Sequence, residues 1–141
     1  MLKYSEKKVR ELCHGVKERD QVAIREMADY FLNLDVLNPN SILVPAPQHE
    51  GYAIYTKQIA EIIAKHIGCR VADVLISKPR ETLYEAKLNK GFMPLDFALK
   101  NEIVGEDIYF IDNVIDTGTT FRTANRLFKG KLMPLIYASV N

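Results

Sequence analysis

The sequence predicts an α/β fold: a three-layer sandwich around a mainly parallel central sheet. Two observations carry this. Short apolar runs of strand length, each closed by turn residues, alternate with amphipathic stretches of 3.6-residue period, the order expected of strand–crossover–strand units with right-handed connections. The chain has 141 residues, 48% hydrophobic and 26% charged, which suits one core and one domain. The domain divides into a helical N-terminal segment, 1–40, and a core, 41–141.

Taken in order, Val9, Leu12, Cys13 and Val16 and then Val22, Ile24, Met27, Ala28, Phe31 and Leu32 describe two helices. His14-Gly15 and Arg19-Asp20 mark the break between them. Asn38-Pro39-Asn40 is a turn cluster, and Ser41 to Val44 is the first strand, closed by Pro45-Ala46-Pro47. Ile54, Ile59, Ile62, Ile63 and Ile67 place a helix between Gly51 and Ile67, with Gly68 as its C-terminal cap. Val71 to Ile76 reads as the second strand. Ser77 to Gly91, rich in Lys, Arg and Glu, reads as a mobile loop, a short helix, or both. Asp107 to Asp112 is a third strand, Thr119 to Phe128 a helix, Lys129-Gly130-Lys131 a turn, and Leu132 to Val140 the closing strand.

Nineteen basic and eighteen acidic residues leave a formal charge of +1, so bulk attraction to nucleic acid or an anionic membrane is not expected. Any anion must meet a local site. No apolar run approaches the roughly 18 to 20 residues of a membrane span, and no signal peptide or anchor is visible. Cys13 and Cys69 lack partners at metal-ligand spacing, which suits reduced thiols and a cytoplasmic protein.

In parallel sheets ligands bind at the carboxyl ends of strands, so the loops after Val44, Ile76 and Ile111 matter most. The densest signal is Ile108-Tyr109-Phe110-Ile111-Asp112-Asn113-Val114-Ile115-Asp116-Thr117-Gly118-Thr119-Thr120. An apolar strand delivers Asp112 at its end, and a loop of Asp, Thr, Gly and Thr runs into a helix. Backbone N–H groups, hydroxyls and the positive end of the helix dipole then face one small volume, an anion cradle. Gly118 lets the backbone approach a ligand or adopt positive φ. The Asp112 carboxylate can take ribose hydroxyls or a water of Mg²⁺, so a sugar phosphate fits both halves. The plainer alternative is that Thr117 or Thr119 merely caps the helix. Neither G-x-x-x-x-G-K-[ST] nor G-x-G-x-x-G is present.

This string resembles the phosphoribosyl-pyrophosphate (PRPP) signature of the type I phosphoribosyltransferases, with one departure: the second of two adjacent acids is Asn113. Ile42-Leu43-Val44-Pro45-Ala46-Pro47-Gln48-His49 resembles the family's first strand and pyrophosphate loop, nearest to its ComF-like, competence-protein-type branch. Ser77-Lys78-Pro79-Arg80-Glu81-Thr82 falls where the family has a flexible catalytic loop, and Asn89-Lys90-Gly91-Phe92 is also similar to ComF-like members. The likeness spans about Ser41 to Val140.

The resemblance implies Mg²⁺-dependent transfer of a phosphoribosyl group from PRPP to a nitrogen acceptor, a nucleobase or amine, with release of pyrophosphate. Asp112 and Asn113 would hold the ribose hydroxyls, with Asp112 toward the metal. Thr117, Gly118, Thr119 and Thr120 would hold the 5′-phosphate. Ala46, Gln48 and His49 would meet pyrophosphate together with Lys78 and Arg80 of the catalytic loop, and Asp116 matches the position of an acid proposed to act on the base nitrogen. Homodimers are usual in the family. A second reading is a non-catalytic PRPP- or nucleotide-binding regulator, to which Asn113 and the small base-selecting hood point.

Overall fold

A computed structural model describes residues 1–78 and 96–141. In chain order its elements are β1 (Leu2–Lys3), α1 (Lys7–Lys17), α2 (Gln21–Asn33), β2 (Ile42–Pro45), α3 (Tyr55–Ile67), β3 (Arg70–Val71), β4 (Leu75–Ser77), β5 (Phe97–Leu99), β6 (Ile108–Ile115), α4 (Thr119–Leu127) and β7 (Leu132–Ser139). Five strands form one sheet in the order β1-β7-β6-β2-β3. Every pair in it is parallel, with Ile42 opposite Ile108, Pro45 opposite Ile111, and Ile111 opposite Leu135. The α/β class with a parallel central sheet is therefore observed.

Strand β2 is buried throughout because each of its faces meets a different layer. Leu43 and Ile111 pack under α1, α2 and α3 with Ile24, Phe31, Ile59 and Ile63. Ile42, Val44, Ile108 and Phe110 face the other way, against Leu75, Phe97, Ala124 and Phe128. Alternation along a strand sends successive side chains to opposite faces, so two separate cores sandwich the sheet. At the amino ends of β2 and β6, Ser41 Oγ donates to Asp107 Oδ2 at 2.7 Å, which fixes their register at the edge opposite the site.

Several elements differ from the sequence reading. Helix α1 runs through His14 and Gly15; a Cβ on Gly15 would lie 2.9 Å from Ala23 Cβ, so this glycine serves a close approach of α1 to α2. The break falls at Glu18 to Asp20, where Arg19 has φ +65° and the Asp20 carboxylate caps α2 by accepting from Val22 N at 3.0 Å. The run expected as one strand over Val71 to Ile76 is split. Its first part, β3, closes the main sheet, whereas β4 turns away to pair antiparallel with β5. Asp73 at the corner meets Lys57 Nζ at 3.5 Å, and Val74 N donates back to Ala72 O at 3.0 Å. Helix α3 starts at Tyr55 rather than Gly51, because Gly51 closes a turn at φ +106°. Strand β6 continues past Asp112 to Ile115, with Val114 opposite Ala138. Strands β1 and β5 are too short to leave a periodic signal.

Candidate functional site

From the centre of the sheet the chain winds outward in two directions. β2 leads through α3 to β3 on one side, and β6 leads through α4 to β7 on the other. The switch point lies between β2 and β6, where two loops leave the same edge side by side; Ala46 N donates to Ile111 O at 3.0 Å. A crevice at such a point is the usual ligand position of an open parallel sheet.

The loop after β6 is Asp116 to Gly118. Gly118 sits at φ +82° and is the N-cap residue of α4, so the first amides of that helix open onto the loop. The hydroxyls of Thr117 and Thr119 are 2.9 Å apart, and Thr119 N donates to Thr117 Oγ1 at 3.4 Å. Arg122, one turn into the helix, folds back over this loop. Its Nη1 donates to Thr117 O at 3.0 Å and its Nη2 to Thr119 Oγ1 at 3.4 Å. The guanidinium lies so close that a Cβ on Gly118 would be 2.7 Å from Arg122 Nη1. Asp116 is exposed, and its carbonyl accepts from Asn141 Nδ2 at 2.8 Å.

The loop after β2 is built differently. Gln48 to Gly51 form a tight turn, Gly51 N donating to Gln48 O at 2.9 Å and Gln48 N to Tyr52 O at 3.0 Å. The buried Gln48 side chain braces it from within: Nε2 donates to Ala46 O at 2.7 Å and to Thr56 Oγ1 at 3.2 Å, while Oε1 accepts from Ile54 N. Thr56 Oγ1 also donates to Ala46 O, at 2.6 Å. The two central amides of the turn, those of His49 and Glu50, have no hydrogen-bond partner among the described residues. Two successive free amides on a tight turn form a concavity suited to an anion oxygen.

Asp112 and Asn113 lie on β6, leading into the first loop. Asp112 is half-buried, and its Oδ1 accepts from Asn113 N at 2.8 Å. Asn113 is buried toward the helical layer, its Oδ1 3.5 Å from the Tyr55 hydroxyl. Beneath it Cys13 Sγ contacts Asn113 O at 4.0 Å, and burial, assisted by the Asp112 charge, pushes the Cys13 thiol up to about 11.

Ser77 N donates to Gly51 O at 2.8 Å, so the end of β4 abuts the turn of the β2 loop. Lys78 follows directly and pairs with Asp96 at 3.0 Å on an exposed surface. Arg80 lies outside the described residues, as does most of the stretch expected as a catalytic loop. The fold thus brings Ala46, Gln48, His49, Asp112, Asp116, Thr117, Gly118, Thr119 and Thr120 to one edge of the sheet, with Lys78 rooted beside them. It spends the Gln48 side chain inside the loop and turns that of Asn113 toward Tyr55. No cluster of three His, Cys, Asp or Glu side chains able to cage a metal exists among the described residues. The donor set still fits Mg²⁺, which favours one or two carboxylates combined with substrate phosphates. No helix among the described residues is long and apolar enough to cross a membrane.

No protein-family model and no curated protein matches the chain. Among solved structures it is similar to a hypoxanthine phosphoribosyltransferase of Trypanosoma cruzi (15% identity, TM-score 0.44, 91% of this chain and 64% of that one). It is also similar to adenine phosphoribosyltransferase of Leishmania tarentolae (18%, 0.48, 86% and 57%) and to a hypoxanthine-guanine phosphoribosyltransferase of Bacillus anthracis (13%, 0.44, 91% and 68%). The chain therefore spans less than two thirds of the length of the first two.

Sequence reasoning missed two side chains that touch these segments. Arg122 had a signal, since a cation four residues after the loop glycine returns to it after one helical turn. Tyr55 had none, because it meets Asn113 only through packing of α3 against β6.

Proposed function

We propose that the chain is a phosphoribosyltransferase, ComF-like in its Val44-Pro45-Ala46-Pro47 stretch, that transfers the 5-phosphoribosyl group of PRPP to a nitrogen acceptor. One observation supports this reading: two turns of different build, one with free amides at His49 and Glu50 among the described residues and one opening α4 at Gly118, leave the same edge of the sheet at its switch point. PRPP is a ligand with two anionic ends joined by a ribose. The α4 amides, the Thr117, Thr119 and Thr120 hydroxyls and Arg122 take the 5′-phosphate, and Gly118 lets it approach the backbone. The amides of His49 and Glu50 take the pyrophosphate, in a turn whose shape Ala46 and Gln48 fix. Asp112 receives the ribose hydroxyls.

In the reaction the acceptor nitrogen bonds to C1 as the C1–O bond breaks, and pyrophosphate leaves with the electron pair of that bond. Fixed donors at both ends hold C1 between nucleophile and leaving group, so catalysis rests on position and charge. The exposed Asp116 carboxylate accepts the proton that the nitrogen sheds. Lys78, with Arg80 in the expected catalytic loop, adds positive charge beside the pyrophosphate. Asp112 would help hold Mg²⁺ brought with the diphosphate, whose charge would neutralise the leaving group.

Calorimetric titration with PRPP, with and without Mg²⁺, tests this, followed by a pyrophosphate-release screen across nucleobases. Metal-dependent binding with release for one acceptor is the expected result. Failure to bind PRPP overturns the reading.

A second reading, a PRPP- or nucleotide-binding regulator in the cytoplasm, is favoured by Asn113, whose amide leaves β6 with one carboxylate at this pair and is itself buried. Binding without release for any acceptor would select it. A gain of turnover in Asn113→Asp would instead mark a weakened catalyst.

A further inference from the structure

The turn joining α1 to α2 is fastened to the β2 loop by charge. Arg19 Nη2 contacts Glu50 Oε2 at 2.5 Å, and the other carboxylate oxygen, Oε1, lies 3.2 Å from His49 Nδ1. Glu50 stands in an awkward place: its own amide is one of the two free donors of the turn, so its side chain puts a negative charge beside any anion bound there. Arg19 cancels that charge. The arginine backbone is held at φ +65°, its amide donating to Val16 O at 2.9 Å and its carbonyl accepting from Gln21 Nε2 at 3.2 Å. Gln21 Nε2 also bonds Gln58 Oε1 of α3 at 3.1 Å, so this connector is stitched to the helix that follows the anion turn.

We infer that Arg19 is a positioning residue of the pyrophosphate site: by holding and neutralising the Glu50 carboxylate, it lets the His49–Glu50 turn accept an anion. This rests on the reading of that turn as a pyrophosphate site and gives the N-terminal helical hairpin a role in the site. Arg19 itself reaches the anion only through Glu50.

The test titrates inorganic pyrophosphate, and separately ribose 5-phosphate, into the full chain carrying Arg19→Gln, Arg19→Lys, Glu50→Gln, or Arg19→Gln with Glu50→Gln. With the carboxylate uncovered on a half-exposed surface, Arg19→Gln should weaken pyrophosphate about tenfold and leave ribose 5-phosphate within about twofold. Arg19→Lys, which keeps the charge, should stay within about threefold, and Glu50→Gln should bind pyrophosphate more tightly. The decisive result is rescue: the double variant, with neither charge, should return to within about twofold of the parent. A double variant as weak as Arg19→Gln would overturn the inference, since the bridge would then act through loop shape alone. Unchanged pyrophosphate affinity in Arg19→Gln would overturn it too, whereas a parent protein that binds no pyrophosphate overturns the site reading beneath it.

Discussion

The two loops at the sheet edge, both proposed to offer donors to an anion, are built in opposite ways. The loop after β6 is open. Its hydroxyls bond one another and its backbone amides begin a helix, so its polar groups can change partners when a ligand arrives. The loop after β2 is closed, because a buried glutamine and threonine consume its interior donors and acceptors and leave the backbone amides of His49 and Glu50 as its free donors among the described residues. The polar side chains of the first loop are exposed and bond one another, whereas those of the second are buried and hold the turn in shape. Substitutions in the open loop should therefore damage binding without damaging the fold, and substitutions in the closed loop should damage both.

The largest effect is expected at Gly118. Gly118→Val puts a β-branched side chain at φ +82°, which strains the loop backbone, and a Cβ 2.7 Å from Arg122 Nη1, which drives the arginine off the loop. Affinity for PRPP should fall by about a hundredfold or more, on the order of 3 kcal/mol, while circular dichroism still shows a folded protein. Unaltered affinity would show that this loop does not hold the ligand.

Gln48→Ala addresses the other member of the pair. Removing the brace leaves the Ile54 amide without its acceptor in a half-buried setting, at a cost of about 1 to 3 kcal/mol. The urea midpoint and pyrophosphate affinity should fall together. A variant that loses affinity at full stability would mean that the Gln48 side chain touches the ligand, and would erase the contrast between the loops.

How much of this could be read from the chain follows the same division. The open loop was legible because its parts are neighbours in sequence: an apolar strand, an acid, a Thr-Gly turn and a helix start lie within one string, Ile108 to Thr120. The position of Asp112 was the error there, since β6 continues to Ile115 and carries Asn113 into the core. For the closed loop, the resemblance of Pro45-Ala46-Pro47-Gln48-His49 to a pyrophosphate loop supplied the expectation of an anion site. Its internal wiring was not legible, because Thr56, Ser77 and Arg19 join it from three separate segments. The parallel sheet was readable from alternating elements, whereas the split of the Val71–Ile76 run depended on a ribbon partner, β5, of only three residues.

Arg122→Ala sharpens the comparison further. The arginine is exposed and its bonds go to an open loop, so its loss should leave the urea midpoint nearly unchanged. Ribose 5-phosphate should bind about fivefold more weakly, roughly 1 kcal/mol, and pyrophosphate should be little affected. Equal losses for both anions would mean that Arg122 acts through general charge and that the two sites are not separately served.

The smallest effect probes the floor under the open loop. Cys13 packs beneath Asn113, and its thiol is pushed from 9.0 up to about 11, chiefly by burial and then by Asp112. The folded state thus favours the protonated thiol. That contribution is fully present below pH 9 and is lost as pH rises through about 11, because the unfolded chain releases its proton first. Between pH 8 and pH 10 the stability attributable to this thiol should fall by about 1 kcal/mol. The measurement is the change in unfolding free energy across that interval in the parent minus the change in Cys13→Ala. A zero difference would mean that water reaches the thiol from below β6, and with it the buried side of Asn113. Binding would then be able to reorganise that strand, and the open loop would lack the rigid base on which its contrast with the closed loop depends.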